Sequence, residues 1–121
     1  MFELIALMIL SQQPVQPHAL GTASYYTVAS SSGVTASGEA MRDDLMTCAL
    51  PEGIFGDYYL FVADNGNSVV CRLNDRGPFV KDRVADLSLA AMRRLDPRAG
   101  LVNVAVYHLG PNAPPDLPIA P

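Results

Sequence analysis

Asn74-Asp75-Arg76-Gly77-Pro78-Phe79, followed eleven residues after Asp75 by Asp86-Leu87-Ser88, is the stretch on which the reading of this chain turns. It sets one carboxylate at the end of an apolar strand and beside a rigid turn. A second carboxylate stands just before a predicted short helix. Pro78 fixes its own φ, and Gly77 permits backbone geometry that other residues resist. Such a turn can hold Asp75 at a set angle toward a groove. Aspartates in turns and before helices are also ordinary structural devices. Local chemistry alone therefore leaves a structural and a catalytic reading open.

Outward from this stretch the chain reads as short strands. Residues 57–63 are strand-like through Tyr58, Tyr59, Leu60, Phe61 and Val62. Asp64-Asn65-Gly66-Asn67 is a hairpin turn signal, and residues 68–73 form the return strand. Downstream, Leu87, Ala90, Ala91 and Leu95 repeat at helical spacing, which predicts a helix over 87–95. Asp86 or Ser88 can cap it, and Pro97 helps to end it. Residues 101–109 predict a last strand, with Val102, Val104 and Val106 facing one way and Asn103, Ala105 and Tyr107 the other. Upstream, residues 21–28 are β-prone, and residues 29–38 are a small, polar loop that runs into Glu39. Several short strands with one small helix predict a compact β-barrel.

The 121 residues suit one domain, and half of them are apolar, enough for a modest core. The net charge of −4 argues against nucleic acid as a partner. Seven of the eight basic residues (Arg72, Arg76, Lys81, Arg83, Arg93, Arg94, Arg98) fall within 72–98, and seven of the twelve acids precede residue 65. This clustering fits a solvated face or a weakly basic rim around a groove. Cys48 and Cys71 form no C-x-x-C pair, and with only His18 and His108 beside them the spacing argues against a zinc site. No cofactor or metal is expected. The cysteines are either two buried thiols or, in an exported protein, one disulfide closing a loop of about 23 residues and adding about 3 kcal/mol.

Residues 2–10 are almost continuously apolar, broken by Glu3, and too few to span a bilayer as a helix. They are similar to the apolar core of an export signal, although the preceding end is acidic rather than basic. Residues 11–18 are polar and proline-bearing. The expectation is an export signal or short anchor plus linker over 1–18, the alternative being an apolar strand or helix packed on the domain. The barrel is expected over 19–110. The tail 111–121 carries Pro111, Pro114, Pro115, Pro118 and Pro121 and is expected to be extended or disordered.

Four pieces in order carry a family resemblance: Gly21-Thr22-Ala23-Ser24-Tyr25-Tyr26, then Thr35-Ala36-Ser37-Gly38-Glu39, then Asn74 to Phe79, then Asp86-Leu87-Ser88 with an Ala-Ala helix. Together they resemble the rare lipoprotein A family over about residues 20–109. The resemblance implies a mainly β fold, a six-stranded double-psi β-barrel with one or two short helices, related to expansin and barwin-like barrels. It implies a lytic transglycosylase acting on peptidoglycan glycan strands, or, as the alternative, an expansin-like module that binds or loosens wall polysaccharide without cutting it. It further implies an extracytoplasmic protein (periplasmic, secreted or wall-associated) or a phage-encoded one acting on the wall. A single small barrel is most simply a monomer.

The resemblance also assigns roles. Asp75 matches the family's acid/base aspartate, and Glu39 matches an acid needed for activity. Asp86 matches an aspartate that expansin-like barrels require, here in a supporting or substrate-binding role. Tyr26, Thr35 and Arg76 are expected near the sugar, Tyr26 as a ring lining the groove and Thr35 as a hydrogen-bonding hydroxyl. Partial burial would raise the pKa of Asp75 and suit it to the acid role, whereas an inward-turned Arg76 would oppose that shift. One departure stands out. The family usually places a histidine in an Ala-Ala-His segment before Leu-Pro, but Met46-Thr47-Cys48-Ala49-Leu50-Pro51 has none.

Overall fold

Alternation builds the walls of this molecule. The computed structural model describes residues 16–114; the apolar stretch 2–10, most of the expected linker and residues 115–121 of the tail lie outside the described residues. In strand β6 (Val102–Gly110), Val102, Val104 and Val106 are buried, as their spacing predicts. In β3 (Tyr58–Ala63) the buried set is Tyr59, Phe61 and Ala63. In β4 (Ser68–Asp75), Val69, Cys71 and Leu73 join the same core. Period-two patterning thus turns one face of each strand inward.

With β1 (Ala19–Tyr26), β2 (Thr47–Ala49) and β5 (Arg83–Ser88), the strands close into a barrel in the order β1-β5-β2-β4-β3-β6. The β1–β5 and β2–β4 pairs are parallel and the others antiparallel. Closure leaves no sheet edge unpaired. This is the six-stranded double-psi β-barrel that the resemblance implies. Among the described residues one helix, α1 (Leu89–Leu95), buries Ala91, Met92 and Leu95 against it, and a 3-10 turn spans Val28–Ser30.

The helix is shorter than the spacing predicts. Leu87 and Ser88 belong to β5, because Leu87 is paired on both sides, with Tyr25 and with Cys48. Two ladders outweigh a local helical repeat. Ser88 then caps α1, its Oγ accepting from Ala91 N at 3.2 Å while donating to Leu45 O at 2.6 Å. The helix's other end is closed by the hairpin turn: the side-chain amides of Asn65 and Asn67 both donate to Leu95 O at 2.9 Å.

Cys48 and Cys71 are free and fully buried, and burial pushes the Cys48 thiol well above its ordinary pKa, with Cys71 beside it adding to the shift. Burial shields both thiols, so both should resist a maleimide in the native protein and react on unfolding in denaturant. Mass spectrometry of labelled protein checks this. Rapid labelling of the folded barrel would contradict the burial.

Candidate active site

The site begins with a register slip. Between β2 and β4, Thr47 pairs with Arg72 and Cys48 with Leu73, but Ala49 pairs with Asp75. Asn74 is the extra residue of a bulge. Leu73 faces the core, so regular alternation would send Asp75 inward as well. The bulge instead sets Asp75 opposite Ala49, on the outer face. On the other side of β2, Ala49 pairs with Asp86, and Asp86 with Ser24. A row Ser24–Asp86–Ala49–Asp75 therefore crosses the outward side of the sheet, with Ala49 itself covered. Its two aspartates flank the small side chain of Ala49 and lie two strands, or roughly 10 Å, apart at their Cα atoms.

Asp75 is fixed from two directions. Its Oδ1 accepts from Ala36 N at 2.8 Å and from Arg76 N at 2.9 Å, while no described residue bonds Oδ2. The loop 35–39 is thereby docked onto the motif, and Ser37 N adds a bond to Asn74 O at 3.1 Å. The same loop delivers Glu39, whose Oε1 accepts from Arg72 Nη1 at 2.8 Å. Arg72 holds the Glu39 carboxyl below its ordinary pKa, by its hydrogen bond first and its charge second. Both candidate acids are thus attached to the last turn of β4, one at each end of one loop.

Arg76 is turned away from Asp75. Its Nη2 donates to Gly53 O at 2.7 Å, and its guanidinium lies 4.1 Å from the centroid of the Phe55 ring. Tyr26 is partly buried, and its hydroxyl meets Thr47 Oγ1 at 2.6 Å. Burial pushes its phenol far up, and the Asp75 charge contributes in the same direction, so the ring stays neutral and lies within electrostatic reach of Asp75. Asp86 accepts a hydrogen bond from Ser24 Oγ. Thr35 is buried, and its hydroxyl bonds Ser37 Oγ and Glu39 O, so it shapes the loop that carries Glu39.

The partners of three contributors, Arg72, Thr47 and Ser24, carry no signal in the sequence. Each acts by pairing with a residue far along the chain. The seven-residue basic cluster also proves heterogeneous. Arg72 is paired with Glu39, Arg76 is clamped by Gly53 and Phe55, and Arg93 donates to Asp96 O and Ala99 O.

The Glu39–Arg72 pair gives a pH prediction. A lowered folded-state pKa contributes stability that is complete above the ordinary glutamate value of about 4.3 and is lost as pH falls through the lowered value. Both side chains are well exposed, at 44% for Glu39 and 29% for Arg72, so solvent screening makes the contribution small. Arg72→Leu should therefore move the Glu39 titration upward in NMR while leaving the melting temperature nearly unchanged at pH 7. An unmoved titration would mean that the pair is not formed in solution.

A profile of the lytic transglycolase family matches residues 18–106. The chain is similar to the "Probable endolytic peptidoglycan transglycosylase RlpA" of Treponema pallidum, 40% identical over 97 residues, covering 77% of this chain and 30% of that protein. It is also similar to the "Endolytic peptidoglycan transglycosylase RlpA" of Pseudomonas aeruginosa, 40% identical over 94 residues, covering 76% of this chain and 28% of that protein. The chain thus spans less than a third of the length of these relatives. Among solved structures, the expansin of Clavibacter michiganensis superposes with a TM-score of 0.61 at 22% identity, covering 79% of this chain and 52% of that one, a likeness of fold.

Proposed function

This chain belongs to the lytic transglycolase family, and from that premise we propose that it cleaves peptidoglycan glycan strands, leaving 1,6-anhydro ends, with Asp75 as the acid/base. The observation that carries the reading is Asp75 itself: one carboxyl oxygen is held by two backbone N–H groups and the other is left for a substrate proton. Cleavage needs a proton on the leaving oxygen and its later removal from the attacking group. In the proposed sequence, protonated Asp75 gives its proton to the glycosidic oxygen as the bond to the muramyl C1 breaks. The muramyl 6-hydroxyl then attacks C1, and its proton passes to Asp75. No water is consumed and the carboxyl returns to its starting state.

Glu39, kept ionised by Arg72, supplies fixed negative charge for the positive sugar intermediate. Asp86, Tyr26 and Arg76 fit substrate-facing or positioning roles around Ala49, and Thr35 supports the Glu39 loop. Action on the wall places the protein outside the cytoplasm, with the barrel over 19–110 as the working unit and 1–18 as signal or anchor.

The second reading, wall binding without cleavage, draws support from β2. Thr47, Cys48, Ala49 and Leu50 are all buried and add no imidazole or carboxylate beside Asp75 and Asp86. Mass spectrometry of isolated glycan strands after incubation separates the two. Anhydro ends with wild type, lowered by Glu39→Gln, support cleavage. Strands retained by a folded protein with no new ends would establish binding alone and overturn it.

A further inference from the structure

Beyond Asp75 the surface changes character. Phe79 is 81% exposed, Val80 62%, Ile54 59% and Phe55 38%. Four large apolar side chains in two neighbouring loops are unusual on a face with no partner. The two loops are tied together by Arg76, which follows Asp75 directly. Its guanidinium rests on the Phe55 ring and bonds Gly53 O, while its own N–H holds Asp75 Oδ1. Phe79 folds back toward Gly77, its ring edge 3.6 Å from where a Cβ would stand there. The result is an apolar ledge that begins at the motif carrying Asp75. Arg76 Nη1 is buried at its foot and has no hydrogen-bond partner among the described residues.

We infer that this ledge is a sugar-binding platform, on which the Phe79 ring stacks against the apolar face of a glycan residue adjoining the one cleaved at Asp75. The inference rests on the peptidoglycan reading above and names a subsite of that same site. Flat aromatic surface suits the C–H face of a pyranose ring, whose hydroxyl and acetamido oxygens remain at the rim. An anionic membrane is the competing occupant. It fits less well: of the two cations in these loops, Arg76 lies flat on Phe55 and bonds a carbonyl, which leaves the one exposed lysine beside Val80, Lys81, to meet lipid phosphate.

The test uses binding, so that it does not depend on turnover. In an Asp75→Asn background, the affinity for isolated peptidoglycan glycan strands is measured by calorimetry with Phe79, Phe79→Trp, Phe79→Leu and Phe79→Ala. Covering about 60 Å² of ring surface corresponds to about tenfold in affinity. Phe79→Ala should lose about that factor, Phe79→Leu most of it, and Phe79→Trp little. Because the ring is exposed, melting temperatures should agree across the series. Equal glycan affinities for Phe79 and Phe79→Ala would overturn the inference. So would a loss confined to binding of vesicles containing anionic phospholipid, or Phe79→Leu binding as well as Phe79→Trp. Absence of anhydro products from the wild-type chain would defeat the cleavage reading while leaving this affinity series intact.

Discussion

Asp75→Asn is expected to lower glycan cleavage by about 10²- to 10⁴-fold, the range for removing a positioned acid/base, while leaving the barrel folded. The selectivity follows from how the two oxygens are used. Oδ1 accepts from Ala36 N and Arg76 N. Asparagine keeps a carbonyl oxygen for those two donors and places its NH₂ where Oδ2 stood. The loop 35–39 stays docked and Glu39 stays on Arg72, but the group facing the substrate can no longer donate and retrieve a proton. Asp75→Ala tests the converse. It removes the acceptor as well, leaves two N–H groups without their partner, and should cost about 1–3 kcal/mol of stability in addition to activity. Product formation by mass spectrometry and thermal melts of both variants decide this. Undiminished anhydro ends with Asp75→Asn would remove Asp75 from the chemistry.

What the sequence could disclose depended on the range of the interaction. The β3–β4 hairpin and β6 were legible because alternation and an Asn-Gly turn are local. β2 is three residues long, too short for a pattern, and is held only by its neighbours β4 and β5. β5 was masked because Leu87, which pairs on both sides in a strand, also completes a helical repeat with Ala90, Ala91 and Leu95. The same limit applies at the site. Asp75 and Glu39 stand in recognisable motifs, but the bulge at Asn74 exists only relative to β2, and no local rule announces it. Arg72 lies 33 positions from Glu39. Its pairing with Glu39, which lowers that carboxyl's pKa, is a property of the closed barrel. Arg76, open to either orientation in the sequence, is decided by Gly53 and Phe55, which lie 23 and 21 residues upstream.

That loop carries the second large effect: Gly53→Ala should destabilise the protein by about 2–5 kcal/mol, from a left-handed backbone and overpacking acting together. Gly53 has φ +140°, and a Cβ there would stand 2.6 Å from the Tyr59 hydroxyl oxygen and 2.7 Å from Leu73 Cδ2. Neither neighbour can retreat, since Tyr59 and Leu73 are both in the sealed core and the Tyr59 hydroxyl also accepts from Ile54 N at 3.1 Å. For a domain of this size the melting temperature should fall by roughly 10–25 °C. Gly56→Ala is the control in the same loop: it too has positive φ, at +91°, but nothing lies within 4 Å of the added carbon. It isolates the backbone contribution, about 1–2 kcal/mol. The difference between the two variants measures how firmly the core backs the Gly53 carbonyl. Because that carbonyl anchors Arg76, a large difference means that the ledge beside Asp75 is held by the barrel's interior. Equal melting temperatures would show Tyr59 and Leu73 yielding, and the Asp75 motif with no rigid support at its foot.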